Sequence, residues 1–287
     1  MKSKRKLNIK SSLRYIILSL FTVLFLFPVY WMFIMSLKPP AEWRGIVTWL
    51  PSKVELQNYY FFLVPEWVTY GFYIKTIPIY NALINTLINT LGGTLLSVCI
   101  GALAAYGISR YKLGGDFMAY LVLLFRVNPP IAIIVPFMIW YSILGLIDTH
   151  LGMILYYTLA TLPLSVWILK SFFDEIPKEI EEASQIDGCS PFQSFLNISL
   201  PLAKNGLLAT FILIFIFTWS DYLGALVLTR ERAYTLTIYL GRFYAESGVL
   251  LGPLAACGVF TAVPIVLLGL FAQKYLIRGL TLGALKE

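Results

Sequence analysis

The stretch FDEIPKEIEEASQIDGCSPFQSFLNISLP, residues 173–201, decides how this chain is to be read. It lies between two long apolar runs, where a plain connector would suffice. Instead it reads as two short helices joined by a sharp turn. Pro177 suits the first position of a helix, where its missing N–H leaves no bond unmade. Ile180, Ala183 and Ile186 then recur at helical spacing, with Glu179, Glu181, Glu182 and Gln185 on the rest of the cylinder. Asp187-Gly188 stops that helix, since glycine tolerates the left-handed conformation that ends one. Ser190-Pro191-Phe192-Gln193 has the form of a capping box with proline at the first helical position. Phe192, Phe195 and Leu196 make one apolar stripe, and Pro201 marks the next boundary. Asp174, Glu175, Glu179, Glu181, Glu182 and Asp187 are six of the fifteen carboxylates, within fourteen residues. So small an amphipathic unit has little of its own to pack on and needs a partner surface.

Outward from this loop the chain is apolar. Of 287 residues 59% are hydrophobic and only 13% charged, with a mean hydropathy of +0.77. Soluble domains carry about 25% charge, so the apolar surface must be buried against lipid. Six stretches are free or nearly free of charge: 15–37, 76–109, 117–147 (Arg126 only), 151–169, 205–229 (Asp221 only) and 247–273. A bilayer core of about 30 Å takes about 20 residues of helix. The expectation is an all-α membrane protein with six spans, at 15–37, 82–106, 117–146, 151–171, 204–228 and 253–275. They make up a transmembrane domain over 15–277, between a basic N-terminal segment 1–14 and a tail 278–287. The first stretch ends in Trp31, Met32 and Phe33 rather than a cleavage site, so it is expected to be a retained helix.

Lysine and arginine set the orientation. With the N-terminus inside, fourteen fall on inner segments: Lys2, Lys4, Arg5, Lys6, Lys10, Arg14, Arg110, Lys112, Lys170, Lys178, Lys204, Lys274, Arg278 and Lys286. Seven fall outside: Lys38, Arg44, Lys53, Lys75, Arg230, Arg232 and Arg242. Both termini and the loop 173–201 are therefore expected in the cytoplasm. Acidic side chains sit poorly beside an anionic inner leaflet, so docking on a cytoplasmic protein is favoured over rest on the membrane interface. The long outer segments 38–80 and 230–252 are rich in aromatics, among them Trp43, Trp49, Tyr59 and Tyr60. These suit an interface belt or a docking surface. The net charge of +7 is spread along the loops without a basic face, so nucleic acid is not an expected partner.

Within the spans, Arg126 is a lone charge followed by Asn128, Pro129 and Pro130. A mid-bilayer charge marks a cavity or an ion pair, and a proline-broken helix at that depth lines a cavity. Arg126 and Asn128 are therefore candidate pathway residues, with Asp221, Trp219 and Tyr222 of the fifth span. A structural ion pair is the competing reading. Asn85, Asn89, Tyr156 and Tyr157 fit helix packing better than substrate binding. Cys99, Cys189 and Cys257 are far apart, and His150 is the one histidine, so neither a metal centre nor a catalytic set is expected. GxxxxGK[ST] does not occur, so no P-loop holds ATP in this chain.

Glu182-Ala183-Ser184, three residues, Gly188, nine residues, Ile198, one residue, Leu200-Pro201 resembles the EAA signature of ABC importer permeases, E-A-A-x3-G-x9-I-x-L-P. Ser184 replaces the second alanine. LGLIDTHLG (144–152), Leu162-Pro163, FFDEIP (172–177) and the tail QKYLIRGLTLGALKE (273–287) are similar to the carbohydrate-import, MalG-like branch. Departures occur at Trp219-Ser220-Asp221, where the family usually has Trp-Asn-acid, and at Asn205-Gly206, where Pro-Gly is common. The resemblance implies a type I importer fold in the inner membrane of a bacterium or archaeon. It implies a coupling helix at 173–201, with Glu182, Ala183, Ser184, Gly188, Ile198, Leu200 and Pro201 seated on an ATPase. It further implies four partners: a second permease subunit, two ATPase subunits carrying ATP and magnesium, and an external solute-binding protein. The chain would hold no cofactor and would not itself be an enzyme. Alternative readings are a permease for a polyamine, an anion or glycerol-phosphate, a secondary transporter, and a membrane enzyme.

Overall fold

The computed structural model describes residues 9–45, 47–62, 66–69, 72–75, 78–114, 117–118, 120, 124, 130–245 and 248–282, with backbone alone at 9–12, 61–62, 66–69, 72–75, 130, 245 and 272–282. The described α-helices are α1 (Ile9–Ser36), α2 (Ile79–Tyr111), α3 (Pro130–Ile143), α4 (His150–Asp174), α5 (Lys178–Ile186), α6 (Pro191–Ser194), α7 (Leu200–Leu202), α8 (Lys204–Trp219), α9 (Leu223–Leu228), α10 (Leu236–Tyr239) and α11 (Leu251–Leu282). Two small antiparallel hairpins, β1 (Glu66–Thr69) with β2 (Phe72–Lys75) and β3 (Tyr244–Ala245) with β4 (Gly248–Val249), 3-10 turns at Pro40–Glu42, Leu56–Phe62 and Leu240–Phe243, and a π-helical turn at Phe195–Ser199 complete the described elements. The chain forms two compact units, residues 1–76 with 240–263 and residues 77–239 with 264–287.

Four described helices are long and apolar enough to cross a bilayer: Leu13–Ser36, Ile79–Tyr111, His150–Asp174 and Leu251–Phe271. A fifth crossing can come from Pro191–Leu202 with Lys204–Trp219, bent by 74° at the junction. Of the expected third span, 117–146, residues 119, 121–123 and 125–129 lie outside the described residues, and the described remainder holds the helix Pro130–Ile143, too short to cross a bilayer alone. The expected continuous span 204–228 is broken. Here α8 ends at Trp219 and α9 begins at Leu223. The Asp221 carboxylate, one residue before the cap Tyr222, accepts the backbone N–H of Ala225 in the first turn of the second helix at 3.1 Å.

In the first unit, α1 is exposed over most of its apolar length. The chain then folds back on the end of α1. Asn58 is fully buried and donates to the carbonyls of Ser36 (2.9 Å) and Lys38 (3.0 Å), satisfying groups a helix end leaves unpaired. The buried Lys38 ammonium donates to the Thr48 carbonyl and lies 4.4 Å from the centre of the Trp31 ring. Glu42 accepts from Thr48 and from the amide and hydroxyl of Ser52. Trp49 packs edge-on against Phe27 and Trp31.

In the second unit, α2 and α4 pack along most of their lengths, and α8 packs on both. Small residues permit that approach. A methyl group on Gly93 would stand 2.5 Å from the Tyr157 Cβ, and one on Gly101 would stand 2.7 Å from the Ser165 Cβ. Hydroxyls line the seam, with Ser97 to Ser165 at 2.8 Å, Thr161 donating to Ser97 at 2.9 Å, and Thr94 to Thr218 at 3.2 Å. Lipid provides no hydrophobic drive between helices, so close packing and interhelical hydrogen bonds hold them. At one end of this seam Val98, Ala102, Ala105, Tyr106, Val166, Leu169 and Phe173 form a core against which Phe195 and Ala203 are buried.

Candidate functional site

The acidic loop folds as its sequence dictates, with small shifts. Pro177 is the cap of α5 rather than its first helical residue. The helix ends at Ile186, and Gly188 follows at φ +97°, a conformation that strains any other residue. The Cys189 amide returns to the Ser184 carbonyl at 3.0 Å. Ser190 and Gln193 close the capping box: the Gln193 amide donates to the Ser190 hydroxyl (3.3 Å) and the Ser190 amide to the Gln193 side chain (2.8 Å). A π-helical turn, Phe195–Ser199, leads into α7. Ser184 is buried and donates to the Ser194 hydroxyl at 2.7 Å, pinning the two arms together.

A buried carboxylate fixes this unit to the bundle, and the sequence did not single it out. Glu181 accepts from Arg110 Nε at 2.7 Å, from the Ser199 hydroxyl at 2.7 Å and from the Tyr106 hydroxyl at 2.9 Å. The side chains of Arg110 and Glu181 are each 6% exposed. Arg110 also donates to the Ile176 carbonyl at 2.9 Å. Ion pairs this well buried survive only when their remaining donors and acceptors are matched, as these are.

What the unit leaves exposed is apolar and acidic. Ile186 is 86% exposed, Phe192 60%, Ile180 44% and Leu196 42%. Glu182 and Ala183, and the carboxylates of Glu175, Glu179 and Asp187, are exposed beside them. Phe195 corrects the expected stripe. It is buried against Tyr106 (4.7 Å between ring centres) and Phe173 (6.1 Å), while Phe192 and Leu196 stay outside. Of the remaining motif residues, Ile198 and Leu200 are partly buried and Pro201 is exposed.

The candidate pathway residues fare differently. Arg126 and Asn128 lie outside the described residues. A cavity of about 800 Å³ follows α4 from Tyr156 to Val166, with Phe137, Thr218 and Asp221 in its wall. Asp221 thus reaches it while holding an amide of the first turn of α9. Trp219 is buried, stacked on Phe215 at 5.4 Å, and Tyr222 is half exposed; neither lines the cavity.

Polar residues near the start of α2 hold a loop. Asn85 donates to the carbonyls of Arg232 (2.8 Å) and Tyr234 (3.1 Å), and Asn89 donates to that of Ala233 (3.3 Å). His150 shares a 2.8 Å hydrogen bond with Asn89, and Thr86 accepts from the Leu236 amide at 2.9 Å. Asp148, at φ +57°, accepts the amides of Arg230, Glu231, Arg232 and Ala233 at 2.8–3.1 Å. Burial alone would raise its pKa. The four amides outweigh burial and hold the carboxyl below its ordinary value.

Four apolar helices long enough to cross a bilayer, with a capped loop anchored by a buried ion pair, define a multi-pass membrane protein. The family described as "Binding-protein-dependent transport system inner membrane component" matches residues 97–282, and this chain belongs to it. Among its relatives, the trehalose transport system permease protein SugB of Mycobacterium tuberculosis is 34% identical over 265 residues, 91% of this chain and 92% of that protein. The trehalose/maltose transport system permease protein MalG of Thermococcus litoralis is 32% identical over 270 residues, 93% and 94% of the two chains. In fold, the chain matches a chain of a bacterial ABC transporter involved in the import of the acidic polysaccharide alginate. The TM-score is 0.73 at 23% identity, over 96% of this chain and 99% of that one.

Proposed function

We propose that this chain is the membrane permease subunit of an ATP-driven importer for a sugar or oligosaccharide, with the loop 173–201 as its seat on a cytoplasmic ATPase. The observation that carries this reading is the exposed apolar face of Ile180, Ile186, Phe192 and Leu196, set on a capped, internally hydrogen-bonded unit and rimmed by carboxylates. A stiff unit passes on a rigid-body movement, which a slack loop would absorb. The fitting partner surface is an apolar cleft with basic residues at its edge, and Glu182 stands ready for one of them. ATP and magnesium belong to two ATPase subunits. A second permease completes the membrane part, and a solute-binding protein faces segments 38–80 and 230–252. The four long helices, the region 117–146 and the segment that begins at Lys204 make six spans, which put both termini on one side, and the excess of lysine and arginine on the inner segments makes that side the cytoplasm. The membrane is the inner membrane of a bacterium or archaeon. Sugar as the solute is supported by the names of the relatives.

Ile186→Asp tests the seat. At 86% exposure Ile186 contributes little to this chain's own fold, so the thermal midpoint of the purified permease should stay within 2 °C of the parent. ATPase capture should weaken about 30-fold, as for loss of an apolar anchor at an interface. Undiminished ATPase capture and ATP-dependent uptake by the variant would rule the seat out.

A further inference from the structure

The loop 173–201 is joined covalently to α4 and α8. The helix to which it is most tightly bonded is α2, about seventy residues earlier in the chain. We propose that Arg110 and Glu181 are positioning residues that lock the loop to α2, and that α2 carries the loop's movement to the segment 232–236 at its far end. The inference rests on the reading of the loop as an ATPase seat.

Both ends of the loop converge on the same pair. Ile176 at its entrance gives its carbonyl to Arg110, and Ser199 at its exit gives its hydroxyl to Glu181. Glu181 also takes the Tyr106 hydroxyl, and the Tyr106 ring packs on Phe173 at 5.6 Å and on Phe195 at 4.7 Å. Tyr106 and Arg110 are one turn apart on the last turns of α2. A displacement of α5 that left α2 behind would separate a buried guanidinium from its carboxylate. That is far costlier than moving both together.

The far end of α2 is bonded as firmly. Asn85, Thr86 and Asn89 lie in its first three turns and hold the backbone of Arg232, Ala233, Tyr234 and Leu236. These ends lie on one continuous helix, and from Asn85 to Arg110 it rises about 38 Å at 1.5 Å per residue. No proline interrupts it. A continuous helix bonded at both ends can act as a rod, so a shift at Glu181 appears at Arg232. In the proposed orientation, this links the ATPase seat to the outer rim.

The test uses the intact permease–ATPase complex with Cys99 and Cys189 replaced by serine and Arg232→Cys introduced at an exposed rim position. The maleimide reaction rate of that thiol is measured before and after trapping with MgATP and vanadate. Trapping should change the rate at least threefold. With Arg110→Gln added, the ATPase subunit should still co-purify and the change should disappear. The reversed pair, Arg110→Glu with Glu181→Arg, should restore part of it. Asn85→Ala, which removes the two bonds to Arg232 and Tyr234 and leaves the seat untouched, should at least halve the response with the ATPase still bound. An unchanged response in Arg110→Gln or Asn85→Ala would overturn the rod, as would no response in the parent. Loss of the ATPase subunit from Arg110→Gln would overturn it too, by showing that the pair only shapes the seat. Failure of the parent itself to capture an ATPase would instead refute the seat.

Discussion

Asp148 shows how much one side chain can organise. Its left-handed backbone aims the carboxylate at four consecutive amides of residues 230–233, a concentration of donors that stabilises the charged form. Because the folded-state pKa lies below the ordinary value of 3.8, its contribution is fully present above that value. It is lost as pH falls through the folded pKa. Asp148→Asn should lower stability by roughly 1–2 kcal/mol at pH 7, discounted for partial exposure. The gap between parent and variant should close as pH falls below the ordinary carboxylate value of 3.8, followed by thermal unfolding in detergent. Glu181 is the more instructive residue. Three acidic side chains, Glu179, Glu181 and Glu182, crowd one short helix, and the signature directs attention to Glu182. Which of them is buried depends on where Arg110 lies, and nothing local to the loop records that.

At the scale of elements, the loop's joints were legible because capping and turn chemistry act within four residues. The Ser190–Gln193 box and the Gly188 stop both stand where the spacing placed them. The stripe was half legible: Phe192, Phe195 and Leu196 share a face in a regular helix, but the π-helical turn and the Tyr106–Phe173 core take Phe195 inward. The break between α8 and α9 was not legible, since Asp221 reads as a charge inside a span until its bond to Ala225 is seen. The α2–α4 seam gives a sharp test of element packing. Gly101→Val would push methyl groups into Ser165 and its backbone. Overpacking of this kind costs about 1–3 kcal/mol, so the thermal midpoint should drop by several degrees. Gly269→Val, where a Cβ meets nothing within 4 Å, should leave it in place.

At the scale of the whole molecule, the charge distribution predicts sidedness. Ser3→Cys and Leu285→Cys, each as the sole accessible thiol, should resist a membrane-impermeant maleimide in intact cells and react after permeabilisation. Val47→Cys, at an exposed position in the segment after α1, should react in intact cells. Labelling of either terminus in intact cells would overturn the orientation.

The sequence by itself determined that the chain crosses a membrane, roughly where most crossings lie, and that the loop 173–201 is a capped, acidic, amphipathic unit with a family signature. Hydropathy, charge asymmetry and capping are all local sums over neighbouring residues, so they survive without coordinates. Only the tertiary structure decided which carboxylate anchors that unit, which phenylalanine is buried, and that Asn85, Asn89 and Asp148 spend their polar groups on a loop some eighty to 150 residues away. Those choices are made by pairing across helices, and in a bundle the partners are set by packing of whole elements rather than by anything written beside the residue itself.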